Sequence, residues 1–269
     1  MQRPDWAPED VDLDVPSPAR VYDALLGGSH NFEVDRAAAA HGTALMPGLA
    51  RGAMANRQFL RRAVAYLAEA GITQFLDVGA GIPTVGNTHE IAQAADPDNR
   101  VLYVDIDAVA VAHATSILAG NDRATSIRAD LRSPGELLAA INHTGLIDFS
   151  RPVGLLLVAV IHLVPDGEGP DAAVAALRSA LAPGSFVVIS HLTSDGRPAE
   201  SAQLSSAVAR RDRVSLVFRP KPEIARFFGD FELVPPGLVE LSRWRSGPGV
   251  DDGDAGGSSL YLAGVGRKG

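Results

Sequence analysis

Three acidic residues, Asp77, Asp105 and Asp130, lie in or directly after short runs that are typical of buried strands. Asp77 stands two residues before Gly79, and glycines at 79 and 81 allow the backbone to turn sharply and approach a ligand closely. Asp105 follows about 20 to 25 residues later, the spacing at which a carboxylate accepts hydrogen bonds from ribose hydroxyls. Asp130 ends the third run, where a carboxylate can accept a hydrogen bond from an adenine amino group. The pattern therefore indicates a site for a cofactor that contains a nucleoside.

Two classes of cofactor fit a glycine turn followed by a distant acid, and the residues after Gly81 distinguish them. A nicotinamide dinucleotide site needs a third small residue three positions later, so that a helix begins at once and faces the pyrophosphate. This chain has Pro83 and Thr84 there, and the pair Asn87 and Glu90 predicts a capped helix that begins only at residue 87. The delayed helix favours S-adenosylmethionine, which has no pyrophosphate.

Long motifs occur in a fixed order along nearly the whole chain. They are PARVYDALLGG at 18–28, FLDVGAGIPTVGNTHE at 75–90, VLYVDID at 101–107, RADLR at 128–132, LLLVAVIHLVPD at 155–166 and LAPGSFVVISHLT at 181–193. In this order they resemble the actinobacterial S-adenosyl methyltransferase family, first catalogued as a domain of unknown function. The resemblance implies an α/β, Rossmann-like class I methyltransferase fold, in which a mostly parallel seven-stranded sheet carries helices on both faces.

The resemblance also implies contacts to each part of S-adenosylmethionine. Asp105 would bind the ribose hydroxyls, and Ile106 would pack against the adenine. Asp130 and Leu131 would complete the adenine pocket, and the loop 79–81 would approach the methionine and the ribose. The full predicted set of cofactor-binding residues is Tyr22, Asn31, Asp77, Gly79, Ala80, Gly81, Asp105, Ile106, Asp130, Leu131 and Ala159.

Four members of this set lie outside the ribose and adenine contacts. Ala159 follows the fourth predicted strand and is expected beside the methionine end of the cofactor. Tyr22 and Asn31 belong to the N-terminal segment that is the family's own signature, and they are expected to close over the cofactor. Asp77 can order the glycine loop or bind a cationic amino group.

Catalysis needs few groups, because the sulfonium of S-adenosylmethionine is already activated. The protein has to hold an acceptor atom in line with the methyl group and exclude water. A general base is needed only for an acceptor, such as a hydroxyl, whose proton must leave early. His162 and His191 follow the fourth and fifth predicted strands, and His30 lies in a glycine-rich break, so these three are the catalytic candidates. The alternative, an imidazole that satisfies a buried carbonyl, is favoured for His162 and equally open for His191.

Strand-like and helix-like segments alternate from residue 74 to residue 190, which is typical of a parallel sheet covered on both faces. Helix-like segments precede this region, and they predict an N-terminal helical extension over 1–55 that closes over the cofactor site of a Rossmann-like domain over 56–269. After the alternating region 74–190 we predict a polar helix or mobile lid at 193–209 and an added strand at 214–219. The last two strands are predicted at 232–241 and 260–265, and the final one is expected to be antiparallel.

The composition limits the classes of partner. A chain of 269 residues with 46% hydrophobic residues can bury one sizeable core. The net charge of −8 disfavours nucleic acid, since phosphate binding usually needs a basic surface, so we expect a small-molecule acceptor that is methylated on oxygen or nitrogen. No apolar run approaches the roughly 20 residues of a membrane span, and the N-terminal residues have no features of an export signal. We therefore expect a cytoplasmic protein, while the sequence leaves its oligomeric state open.

Neither cysteine chemistry nor metal binding is predicted. The chain contains no cysteine, which excludes a disulfide framework and a cysteine zinc site. Asp251, Asp252 and Asp254 superficially resemble a calcium-binding loop, but no bidentate Glu follows at the required position.

Two alternative functions stay open at this level. The first is a non-catalytic regulatory binder of S-adenosylmethionine or its demethylated product, because the run 158–161 reads Val-Ala-Val-Ile instead of the Asn/Asp-Pro-Pro pattern that grips planar amines. That absence also argues against methylation of adenine N6 or of glutamine. The second is an NAD-dependent oxidoreductase, which Pro83 and Thr84 disfavour.

Overall fold

A mostly parallel sheet forms the centre of the protein in the computed structural model, which describes residues 7–9, 11–83, 86–212, 214–246, 257 and 259–269. Within these residues the sheet has eight strands, in the order β3-β2-β1-β4-β5-β8-β6 with β7 also beside β8. The strands are β1 (Gln74–Val78), β2 (Arg100–Asp105), β3 (Ala124–Arg128), β4 (Gly154–Val158), β5 (Phe186–Leu192), β6 (Glu232–Leu233), β7 (Val239–Glu240) and β8 (Tyr261–Arg267).

Strands β1 to β5 are parallel to one another, and β8 runs antiparallel to β5, which confirms the predicted direction of the last strand. The chain order reverses at β1, which pairs with β2 on one side and β4 on the other. In open α/β sheets such a reversal leaves a crevice at the carboxyl ends of the strands, where ligands bind.

Helices cover both faces of the sheet. Successive side chains along a strand point to opposite faces, so each strand packs against helices on both sides. The helices are α1 (Pro18–Leu25), α2 (Glu33–Leu45), α3 (Leu49–Glu69), α4 (Thr88–Ala95), α5 (Ala108–Ile117), α6 (Pro134–Thr144), α7 (Pro170–Ala180), α8 (Pro198–Asp212) and α9 (Lys221–Arg226). Phe75 and Tyr103 pack on the side of α3 and α4, whereas Leu76 and Leu102 pack on the side of α6 and α7. The N-terminal helix α1 packs against α2, and α2 also contacts α8.

Three expectations from the sequence differ from this architecture. The predicted seven-stranded sheet has eight strands, because the expected strand 232–241 is divided into β6 and β7 by a turn at Pro235 and Pro236, which have no N–H to donate to a ladder. The segment 214–219 is not a strand and makes only an isolated bridge between Thr193 and Arg219. Helix α3 begins at Leu49, so the boundary predicted after residue 55 falls inside a helix.

Two further expectations from the sequence concern membrane spans and the calcium-like loop. No helix in the described part of the chain is long and apolar enough to cross a membrane. Asp251, Asp252 and Asp254, which superficially resemble a calcium loop, lie outside the described residues.

Candidate functional site

A cavity of about 470 Å³ lies at the carboxyl ends of β1 to β4, within the size range of small-molecule and cofactor sites. The N-terminal helices and α8 form its remaining walls. Of the predicted cofactor-binding residues, those that line the cavity are Tyr22, Asp77, Gly79, Ala80, Gly81, Asp105, Ile106, Asp130, Leu131 and Ala159. Residues separated by more than 100 positions in the sequence therefore meet at one site.

The glycine loop after β1 makes the sharp turn that the sequence predicts. Gly79 and Gly81 have φ angles of +73° and +66°, in the left-handed region that favours glycine. A Cβ atom on Gly79 would lie 2.2 Å from Cγ2 of Val160, so the loop approaches the segment after β4 too closely for any side chain. The Gly79 N–H donates to the carbonyl of Val104 at 2.8 Å. These contacts fix the loop between β2 and β4 on the floor of the cavity.

Asp105, at the end of β2, is a buried carboxylate that orders the two neighbouring loops. Its Oδ2 accepts the Gly81 N–H at 2.7 Å, and its Oδ1 accepts the Asp107 N–H at 2.9 Å. Burial raises the pKa of Asp105 to about 6, against the lowering effect of these backbone hydrogen bonds. Each carboxylate oxygen can accept a further hydrogen bond, so the donor set of a ribose fits this residue.

Asp77 lies deeper, within β1, and is 5% exposed. Its Oδ2 accepts a hydrogen bond of 2.6 Å from Thr88 Oγ1. Burial raises the pKa of Asp77 to about 6, while the Thr88 hydrogen bond and the positive charge of Arg57 act in the opposite direction. Arg57, on α3, also lines the cavity. A carboxylate and a guanidinium therefore stand beside the glycine loop, which suits an amino-acid group that carries both charges.

Asp130 differs from the other two acids, because a cation already holds it. Arg132 donates to Asp130 Oδ2 from Nε at 2.9 Å and from Nη2 at 2.7 Å, and its Nη1 donates to Glu168 at 2.9 Å. The hydrogen bond from Arg132 lowers the pKa of Asp130. An adenine amino group would share this carboxylate with Arg132. Nearby, Leu131 is buried, whereas Ile106 is 50% exposed and offers an apolar surface at the cavity.

Ala159 has a φ angle of +58°, in the left-handed region that costs energy for a residue with a Cβ atom. Its N–H donates to Ser190 Oγ at 3.0 Å, and Ser190 Oγ donates to Asn56 Oδ1 at 2.6 Å. Asn56 Nδ2 in turn donates to the hydroxyl of Tyr22 at 2.9 Å, which donates to the Ala53 carbonyl at 3.0 Å. This network connects α1 and α3 to the ends of β4 and β5 and holds the strained residue at the cavity.

The three candidate histidines occupy different environments. His162 lines the cavity and is 4% exposed, and its Nδ1 is buried without a hydrogen-bond partner among the described residues. Burial lowers the pKa of His162 well below its usual value, so the imidazole is neutral. The ring of His30 packs against His113 with centroids 3.6 Å apart and does not belong to the cavity lining.

His191 does not line the cavity, and both of its ring nitrogens make hydrogen bonds within the protein. Its Nε2 is 2.8 Å from Nη1 of Arg219 and must accept, since a guanidinium only donates, so Nδ1 carries the proton and donates to the Leu192 carbonyl at 2.7 Å. Burial lowers the pKa of His191 to about 3. Of the two roles left open by the sequence, the structure shows the buried, hydrogen-bonded one.

Asn31 is the predicted cofactor residue that the structure does not bring to the cavity. Its Nδ2 donates to Asp23 Oδ2 at 2.8 Å and to the Gly28 carbonyl at 2.9 Å, and its Oδ1 accepts from Arg36 at 2.9 Å. These bonds fix the turn between α1 and α2. The side chain is buried in scaffold contacts and supports the cavity wall indirectly.

Sequence reasoning did not assign a role to several residues that line the cavity. Asn56 and Arg57 lie on α3, and only the packing of α3 against β4, β5 and β8 shows that they face the site. Asp212 and the apolar residues of α8 had no motif at all. Within the described residues, no group of three or more His, Asp or Glu side chains is arranged to hold a metal ion.

The sheet order β3-β2-β1-β4-β5-β8-β6, with β8 antiparallel to β5 and the cavity at the carboxyl ends of the parallel strands, is the arrangement of the class I methyltransferase fold. The family model described as S-adenosyl methyltransferase matches residues 4–269, and the chain belongs to this family. Its cofactor is therefore S-adenosylmethionine, and the family resemblance predicted from the motifs is confirmed.

Solved structures agree with this assignment. A candidate methyltransferase from Thermobifida fusca YX is 44% identical and superposes with a TM-score of 0.92 over 98% of this chain and 99% of that chain. A DUF574 family protein from Streptomyces avermitilis is 34% identical, with a TM-score of 0.90 over 96% and 100% of the two chains. A 1,6-didemethyltoxoflavin N1-methyltransferase from Burkholderia thailandensis shares only the fold, at 20% identity and a TM-score of 0.50 over 96% and 93%. No curated protein matches the chain.

Proposed function

We propose that this protein transfers the methyl group of S-adenosylmethionine to an oxygen or nitrogen atom of a small molecule bound in the cavity. The observation that carries the proposal is the convergence of the predicted cofactor residues, from four strand ends and α1, on that one cavity. The N-terminal helices form part of its wall, which supports a closing role for the segment 1–55.

The cofactor fits the cavity residues part by part. Asp105 accepts the ribose hydroxyls through the free lone pairs of its carboxylate. Ile106 and Leu131 provide apolar surfaces for the adenine, and Asp130 provides an acceptor at its edge. Asp77 binds the amino group of the methionine part, a cation that compensates the cost of this buried carboxylate.

Arg57 completes the binding of the methionine part. Its guanidinium carries a positive charge and lines the cavity on the side of Asp77, so it is suited to the carboxylate of the cofactor. The two side chains together match a zwitterion, which explains why a buried acid and a cation occur side by side.

When bound, S-adenosylmethionine supplies an activated methyl group, and the acceptor's lone pair bonds to its carbon as the carbon–sulfur bond breaks with both electrons left on sulfur. The residues of the chain hold the acceptor in line and exclude water. His162 is the candidate histidine at the cavity; its lowered pKa makes the imidazole a weak base, so it would take the proton of a hydroxyl acceptor only once methyl transfer has made that proton strongly acidic.

Calorimetric titration with S-adenosylhomocysteine tests the cofactor site. We expect Asp105→Asn to bind at least about tenfold more weakly than wild type, because hydrogen bonds to a charged acceptor are each worth about 1.5–3 kcal/mol. The matched control is Asp98→Asn, whose side chain is 82% exposed and which precedes β2, at the opposite end of that strand from Asp105. Equal affinity of Asp105→Asn and wild type would show that Asp105 does not bind the ribose.

A further inference from the structure

One part of the cavity is bounded by helices rather than by the strand ends that we assign to the cofactor. Its walls come from α2, α8 and the segment that follows α8, and they include Ala39, Gly42, Leu204, Val208 and Leu216. We call this part the acceptor compartment. Because its lining is apolar, it favours an apolar ligand skeleton.

Asp212 is a carboxylate in this apolar setting. It is the last residue of α8, lines the cavity and is 7% exposed. Its ion pair with the neighbouring Arg211 is loose, with Nε and Oδ1 3.8 Å apart, and the Arg211 side chain is 49% exposed. The carboxylate therefore lies under the protein surface, whereas Arg211, its ion-pair partner among the described residues, is half-exposed.

Both features of this position are unfavourable for a structural acid. Burial of an ionised carboxylate costs free energy unless a close partner compensates it. The carboxyl end of a helix carries partial negative charge and favours cations, which Arg210 and Arg211 supply in the last turn of α8, whereas Asp212 adds negative charge there. A residue that conflicts with local stability in two ways is typical of a functional site.

A ligand cation in the acceptor compartment would resolve both conflicts. It would pair with the Asp212 carboxylate and also benefit from the negative end of α8. We propose that the acceptor is a small apolar molecule that carries an ammonium group, which Asp212 selects, while the methyl group goes to another oxygen or nitrogen atom of the molecule that has a free lone pair. This inference rests on the proposed function, since it assigns the acceptor of the same cavity.

The sulfonium of S-adenosylmethionine is the other cation that Asp212 could serve, and binding experiments separate the two. If Asp212 recognises the acceptor, Asp212→Asn will bind S-adenosylmethionine and S-adenosylhomocysteine, which lacks the sulfonium charge, with the same ratio of affinities as wild type. A selective loss of S-adenosylmethionine affinity would overturn the proposal.

The direct test uses arylmethylamines, which are cations at neutral pH, and the corresponding neutral alcohols as probes. Each is titrated into protein saturated with S-adenosylhomocysteine. The pairs are benzylamine with benzyl alcohol, and 2-naphthylmethylamine with naphthalene-2-methanol. In wild type we expect at least one amine to bind about tenfold more tightly than its alcohol, and we expect Asp212→Asn to abolish this difference. Glu200→Gln, an exposed acid at the other end of α8, is the matched control and should keep the difference.

The outcomes distinguish this inference from the proposed function. Failure of wild type to bind S-adenosylhomocysteine would contradict the proposed function itself. Normal binding of S-adenosylhomocysteine without a preference for any amine, or with the preference intact in Asp212→Asn, would overturn the inference alone. Should Asp212→Asn not fold, Val208→Phe provides the second test: by filling the compartment it should abolish amine binding while S-adenosylhomocysteine still binds, and retained amine binding would contradict the proposal.

Discussion

Asp77 and Asp105 are buried carboxylates that lower the stability of the ligand-free protein and favour ligand binding. Each is a carboxylate at least 91% buried, and burial raises the pKa of each to about 6. The ionised form is therefore unfavourable in the ligand-free protein. A cationic amino group or ribose hydroxyls would supply the contacts that burial removed, so ligand binding relieves the cost.

The substitution Asp77→Asn is expected to stabilise the ligand-free protein by about 1–2 kcal/mol at about pH 7.5 and to weaken S-adenosylmethionine binding. The pKa of Asp77 is about 6 in the folded protein against an ordinary 3.8, so the folded state binds more protons between these values. The free energy of unfolding of wild type consequently falls as the pH rises through this window.

The advantage of Asp77→Asn should be largest above pH about 6 and become small towards pH about 4, where the folded wild-type carboxylate is protonated and the unfolded one is about half protonated. Urea unfolding at both pH values measures it, with the exposed Asp98→Asn as control. A variant that is no more stable than wild type at the higher pH would contradict this account of Asp77.

His162 and His191 show that residue type alone does not determine a role. Their rings are 5.5 Å apart, and both are buried and neutral. Arg219 and the Leu192 carbonyl occupy both nitrogens of His191, whereas Nδ1 of His162 has no such partner among the described residues. The sequence places both at strand ends, and only the partner side chains distinguish them.

At the scale of elements, the glycine loop after β1 sets the floor of the cavity. Gly79 needs both a positive φ angle and the absence of a side chain, whereas Gly81 needs only the positive φ angle. Two glycines that look alike in the sequence therefore have different structural requirements.

Gly79→Ala is expected to destabilise the protein by about 1–3 kcal/mol more than Gly81→Ala, since overpacking of this size is added to the backbone strain that both variants share. The clash with Val160 is the physical reason. Thermal or denaturant unfolding of the two variants measures the difference, and Gly81→Ala serves as the control. Equal losses would mean that the loop is not held against the segment after β4.

The elements that the sequence predicts well are those with a local signal. Strands β1 to β5 appear as short apolar runs, and the capping pair Asn87 and Glu90 marks the start of α4, where Glu90 accepts the Asn87 N–H at 3.1 Å. The strand expected at 232–241 is interrupted at Pro235 and Pro236. The segment 214–219 has strand-like residues but makes only an isolated bridge.

The same distinction applies to the site. Cavity residues that follow strand ends are predictable, because parallel strands bring their carboxyl ends to one edge. Asn31, although near a signature motif, turns into the scaffold, and Asp212 gives no local signal for its position at the cavity. Those placements depend on how α1, α2 and α8 pack.

At the scale of the whole molecule, buried charges connect the N-terminal helices to the cofactor site. Nε of Arg20, on α1, lies 3.6 Å from Asp35 of α2 and 3.5 Å from Asp107, which caps α5 directly after Asp105 and Ile106. A ligand that fixes the loop after β2 therefore also fixes α1 and α2, through the contact between Asp107 and Arg20. Binding should stabilise these parts together.

S-adenosylhomocysteine at about 100 times its Kd is expected to raise the melting temperature by about 5–10 °C, because mass action adds about 2.7 kcal/mol to the folded state. NAD at the same concentration should produce no shift, since the loop after β1 lacks a helix that begins at once to hold a pyrophosphate. Scanning fluorimetry measures both. A shift with NAD and none with S-adenosylhomocysteine would contradict the cofactor assignment.

We predict that one adenosine binds between the carboxylate of Asp105 and the apolar side chains of Ile106 and Leu131. A crystal structure of the complex with S-adenosylhomocysteine tests it most directly. We predict ribose hydroxyls within hydrogen-bond distance of Asp105, at about 2.5–3.0 Å, and the amino-acid end beside Asp77. A nucleoside bound elsewhere, or bound in the cavity without contact to Asp105, would contradict the account.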